Sequence, residues 1–177
     1  MRISKISGFI LFVLCSAFIV AKSYAQDTGL LVGIRGGASF LDNDESFTQF
    51  EAFVHYGLPW RWQFDSGWSV ATEVGATLGV LEGGGDSAAI GTIIPNLALN
   101  KDWFTLRLGV GPTLLTDDQF GDEDFGTQFQ FTSFLSLDFN VSPSLAIGYR
   151  IQHMSNAGID DENPGLNLNM LQLSYTY

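Results

Sequence analysis

Apolar and polar residues alternate with a period of two over nearly the whole chain from Thr28 onward, the signature of strands with two unlike faces. In a first strand Leu30, Val32, Ile34, Ala38 and Phe40 share one face, and Gly33, Arg35, Gly37 and Ser39 the other. A second strand, roughly 47–64, sets Phe50, Ala52, Val54, Tyr56 and Leu58 against Gln49, Glu51, His55 and Gly57, and Pro59 marks a bend or edge irregularity. A third sets Trp68, Val70, Val74, Ala76, Leu78 and Val80 against Ser69, Glu73, Gly75, Thr77 and Gly79. The fourth, about 88–99, has adjacent Ile93 and Ile94 followed by Pro95, and its parity is the least defined. The fifth and sixth are regular: Phe104, Leu106, Leu108, Val110 and Leu114 oppose Thr105, Arg107, Gly109 and Thr113, and Phe129, Phe131, Leu135, Leu137 and Phe139 oppose Gln128, Gln130, Thr132, Ser136 and Asp138. In the seventh, Leu145, Ile147, Tyr149 and Ile151 oppose Ala146, Gly148, Arg150 and Gln152; in the eighth, Leu171, Leu173, Tyr175 and Tyr177 oppose Gln172, Ser174 and Thr176.

The connections alternate as well. Those after even strands are short: Asp65-Ser66-Gly67, Asn100-Lys101-Asp102 and Val141-Ser142-Pro143-Ser144. Those after odd strands are longer and acidic, over 42–46, 82–87, 116–124 and 156–164. Tight turns at one end and longer loops at the other predict an all-β fold, an eight-stranded antiparallel up-and-down transmembrane β-barrel of the bacterial outer membrane, with both termini periplasmic. Each strand has the roughly 9–11 residues that such a crossing needs. A soluble sandwich or lipocalin-like barrel would hide the greasy face and show water a charged one. Here the other face is mostly Gly, Ser, Thr and Gln, which suits a narrow interior. Trp60, Trp62, Trp68, Trp103 and Phe104 cluster near the short turns, where an aromatic girdle belongs, and the chain ends on Tyr177 in the alternating last strand.

Composition and charge narrow the function. Arg2 and Lys5 precede an apolar run over residues 8–20, and Ser23-Tyr24-Ala25 puts small residues where a signal peptidase reads, so a secretory signal over 1–25 and a barrel over 26–177 are expected. The single cysteine, Cys15, falls within that signal, so the mature chain has no thiol for a disulfide, a metal or a nucleophile. With a formal net charge of −11, nucleic acid is excluded as a partner. Arg35, Glu51, Glu73, Arg107, Asp138 and Arg150 point inward from different strands with mixed signs, and read as a structural ion-pair network in a barrel too narrow for a pore. No cofactor is implied, and the acidic loops carry no spacing that specifies a metal site.

The chemistry gathers in QHMSNAGIDDENPGLN, residues 152–167. His153 continues the outward series of the seventh strand and Ser155 is its next member, while Asn167 belongs to the outward series of the eighth. All three face lipid near the loop end. Residues two apart on one strand face lie about 6.5–7 Å apart at the backbone, close enough for a histidine to serve a serine as general base. HMSNAG followed by NPGLN resembles the lipid A 3-O-deacylase family, acyloxyacyl hydrolase-like outer-membrane enzymes; the specific match spans 149–167. The resemblance implies an esterase that removes the acyl chain at the 3-position of lipid A, with Ser155 as nucleophile, His153 as base, and Asn156 with the backbone N–H of Gly158 as oxyanion site. It departs from that pattern at Asn167, which stands fourteen residues after the histidine where the family places an acidic residue. An asparagine can hold the tautomer of an imidazole but cannot stabilise the imidazolium by charge; Asp160, Asp161 and Glu162 are the acids near enough in sequence to substitute. The partners implied are lipopolysaccharide as substrate and outer-membrane lipid as solvent, with a homodimer left open. The competing reading is a non-catalytic barrel with a structural or binding role.

Overall fold

In the computed structural model, which describes residues 29–40 and 45–177, the alternating segments become strands and none of the described residues is helical. The expected signal over 1–25, with Cys15, and most of the loop starting at Asp42 lie outside the described residues. The strands are β1 (Leu30–Ser39), β2 (Phe47–Gln63), β3 (Ser69–Gly83), β4 (Asp86–Lys101), β5 (Phe104–Leu115), β6 (Gln119–Phe120), β7 (Glu123–Asp124), β8 (Phe129–Asn140), β9 (Leu145–Ser155) and β10 (Leu166–Thr176). Eight of them close a barrel in the order β1-β10-β9-β8-β5-β4-β3-β2. Each neighbouring pair is antiparallel, and β1 against β10 closes the ring.

The sequence parity holds around the ring. Ile34, Leu78, Leu108, Leu135, Ile147 and Leu171 are exposed on the outer wall, while Arg35, Glu51, Arg107, Asp138 and Arg150 are buried inside. In β4, where alternation was ambiguous, Ile94, Asn96 and Ala98 face in and Ile93 and Leu97 face out. Pairing between β4 and β5 lapses from Thr92 to Asn96, where Pro95 and, across the seam, Pro112 offer no N–H; the register is the same on both sides of the gap. Pro59 also acts as expected, for the β2–β3 register shifts between Gly57 and Arg61.

Two connections differ from expectation. The segment 82–87 is not a long loop: β3 and β4 run to a two-residue turn at Gly84 and Gly85, whose φ of 56° and 87° suits only a residue free of Cβ strain. The segment 116–124 folds as a small hairpin, β6 paired with β7. It turns Phe120 and Phe125 inward against Phe47, with ring centroids 5.5 and 5.4 Å from it. These three join Leu81, Ile90, Leu115, Met154, Leu166, Leu168 and Met170 in an apolar plug that fills the loop end of the barrel.

Below the plug the interior is polar and paired. Arg107 donates to Glu73 (3.0 Å) and to Asp138 (2.7 Å), and Arg35 pairs with Glu51. Arg150 departs from the expected network: its guanidinium lies 3.7 Å from the centre of the Phe134 ring and its Nε donates to Gln152 (2.9 Å). A cavity of about 10 Å³ among Arg35, His55, Asn96, Phe134 and Arg150 has room for one water. At this level the barrel is filled rather than channelled.

Candidate active site on the lipid face

The β9–β10 register sets His153 opposite Asn167 on the outer wall near the loop end. The ring donates from Nδ1 to Asn167 Oδ1 at 3.0 Å, because a carboxamide oxygen can only accept. That bond fixes the tautomer and leaves the Nε2 lone pair free to take a proton. Gly165, at the start of the run into β10, makes room for the ring: its φ is 70°, and a Cβ there would lie 3.0 Å from His153 Cε1.

Ser155 ends β9 on the same face, half-exposed, with Phe131 as its partner on β8. Among the described residues no hydrogen bond joins its Oγ to His153. On the side of His153 away from Asn167 stands Ser133, its register partner on β8. Ser133 was not singled out from sequence, although a serine in the outward apolar series of that strand was the available signal. It borders a groove of about 650 Å³ lined by outward Trp60, Leu97, Leu108 and Val110 and, where the β4–β5 pairing lapses, by inward Asn96 and Phe134.

The two residues expected at an oxyanion site are brought together, but onto each other. Gly158 N donates to Asn156 Oδ1 (2.8 Å), and Asn156 Nδ2 donates to the carbonyls of Phe125 (3.1 Å) and Glu162 (2.7 Å). Asn156 is fully buried and ties the 156–164 loop to the base of the β6–β7 hairpin. The turn that follows is tight: Ile159 N donates to Asn156 O, and Ala157 has a φ of 57°, the sole left-handed non-glycine among the described residues. Asp160, Asp161 and Glu162 are exposed, and among the described residues none forms an ion pair with His153. The group that meets the ring is Asn167.

A family model described as lipid A 3-O-deacylase (PagL) matches residues 48–176. The chain belongs to the PagL family. Lipid A deacylase PagL of Bordetella bronchiseptica (strain ATCC BAA-588 / NCTC 13252 / RB50) is 34% identical over 132 residues, covering 70% of this chain and 73% of that protein. The crystal structure of the outer membrane enzyme PagL superposes with a TM-score of 0.70 at 18% identity, over 81% of this chain and 97% of that one. A de novo designed transmembrane β-barrel is more distant, with a TM-score of 0.48 at 12% identity over 84% of this chain and 95% of the design. The matched span, 48–176, includes His153, Ser155 and Asn167.

Proposed function

We propose that this protein is an outer-membrane serine esterase that hydrolyses the ester-linked acyl chain at the 3-position of lipid A, with the signal over 1–25 removed, the loops outside and both termini periplasmic. The observation that carries this reading is the Nδ1 bond from His153 to Asn167, which leaves Nε2 as a base on the lipid face beside Ser155. Ser155 Oγ attacks the ester carbonyl while His153 Nε2 takes its proton. As the tetrahedral intermediate collapses, that proton passes to the departing sugar oxygen, and a water deprotonated by the same nitrogen releases the acyl chain. The groove bordered by Ser133 gives that chain an apolar bed. Oxyanion stabilisation falls to the Gly158 N–H, which requires that amide to exchange its bond with Asn156 Oδ1 for one with substrate, while Asn156, its own donors committed to Phe125, Glu162 and Asn163, holds the loop that presents it.

The alternative, a barrel that binds lipid without cleaving it, draws on one observation. Asn167 cannot carry the charge that stabilises an imidazolium. The two readings separate when the purified protein, folded in detergent micelles, is given lipopolysaccharide and the released fatty acids are analysed by gas chromatography. The esterase releases a 3-hydroxy fatty acid and its Ser155→Ala variant does not; no release by the wild-type protein contradicts the proposal.

A further inference from the structure

The lipid face of β10 carries a second carboxamide beyond the one that holds His153. Asn169 lies one step along the same face as Asn167, about 6.5–7 Å toward the turn end, between Ala38 on β1 and Ile151 on β9. Its Oδ1 accepts the hydroxyl of Tyr149, which reaches diagonally across the β9–β10 pair. Its Nδ2 finds no acceptor among the described residues. Such N–H groups facing hydrocarbon are strongly disfavoured, because no water is there to bond them. The β1 side leaves them uncovered, since Ala38 is small and exposed. Beyond it the Phe50 ring leans over Gly36, where a Cβ would come within 3.2 Å of it, and raises an apolar wall.

We infer that Asn169, oriented by Tyr149, is a subsite for a second acyl chain of the same substrate molecule, donating Nδ2–H to the carbonyl oxygen at the head of that chain. The inference rests on the esterase reading and extends it to the opposite side of the imidazole. The groove at Ser133 opens toward β5 and β4, whereas Asn169 opens toward β1, so two chains on neighbouring positions of one sugar straddle His153. The chemistry required is a neutral acceptor, for neither Asn169 nor its neighbours Ala38, Ile151 and Tyr149 carries charge.

Binding without turnover tests this. Native mass spectrometry of the Ser155→Ala barrel in micelles would compare a 2-N,3-O-diacylglucosamine 1-phosphate, its 3-O-monoacyl counterpart and phosphatidylethanolamine, with and without Asn169→Leu or Tyr149→Phe. Asn169→Leu is expected to weaken the diacyl sugar about tenfold, the worth of one neutral hydrogen bond, with Tyr149→Phe weaker in the same direction. The monoacyl sugar and the phospholipid are expected to be unaffected. Equal weakening of mono- and diacyl sugars, no weakening, or a loss confined to the phospholipid would overturn the subsite. Heat-modifiable gel migration checks that each variant is folded. Fatty-acid release by wild-type protein, run in parallel, tells failure of the esterase reading from failure of the subsite.

Discussion

The inner wall of the barrel and the outer wall at the level of His153 both bear polar side chains in surroundings of low polarity, and they treat them oppositely. Inside, Arg107 is clamped between Glu73 and Asp138, Arg35 is paired with Glu51, and Arg150 is capped by Gln152 and Phe134. Among the described residues only Asn96 Oδ1 and Gln130 Oε1 are buried side-chain atoms without a partner. Outside, His153 has one ring nitrogen bonded, Asn169 has only its oxygen bonded, and Ser133 and Ser155 have no side-chain bond among the described residues. Polar groups that satisfy one another hold a structure; polar groups left open on the outer wall keep bonding capacity for a ligand.

Substitutions on the two walls should therefore fail in different ways. The largest effect is expected from Ser155→Ala or His153→Ala, each abolishing lipid A hydrolysis by about a thousandfold or more, while unfolding in detergent is unchanged. An equal loss of stability would put these residues in the structural class. Inside, Arg107→Ala strips Asp138 of its counter-charge and leaves Glu73 with His55 Nδ1 at 3.1 Å alone. It should cost about 3–5 kcal/mol in urea unfolding from lipid vesicles, with little change in KM for the protein that remains folded. Asn167→Glu restores a charge-assisted partner for the imidazole and should raise kcat about tenfold; a fall would mean that another group already orients His153. Smallest is Gly165→Ala, which combines an unfavourable left-handed φ of about 1–2 kcal/mol with a methyl 3.0 Å from His153 Cε1. It should lower kcat severalfold and leave KM alone.

How much of this was legible in the chain depended on whether local periodicity or tertiary contact decides each feature. The alternation from Leu30 to Tyr175 carries the face of nearly every residue, because one face meets lipid and the other a narrow interior. It fails at Ile93-Ile94-Pro95, where two apolar residues are adjacent and only the pairing with β3 settles which faces in. The loop-end plug was invisible: Phe120 and Phe125 lie among acids in a segment too short for any period, and are defined by where the β6–β7 hairpin docks. In the site, parity with the HMSNAG and NPGLN runs was enough to bring His153, Ser155 and Asn167 onto one face. The register position of Ser133 opposite His153, the Tyr149–Asn169 bond and the engagement of Asn156 with Phe125 and Glu162 follow from cross-strand register and loop packing, which no spacing in the chain encodes.

Mass spectrometry of lipid A from Gram-negative cells lacking any deacylase of their own, and expressing this protein or its Ser155→Ala or His153→Ala variant, bears most directly on the lipid-facing pair as a catalytic device. A lipid A species lighter by one 3-hydroxyacyl group should appear with the wild-type protein alone. Identical lipid A in all three strains, with the barrel folded in each outer membrane, would contradict it.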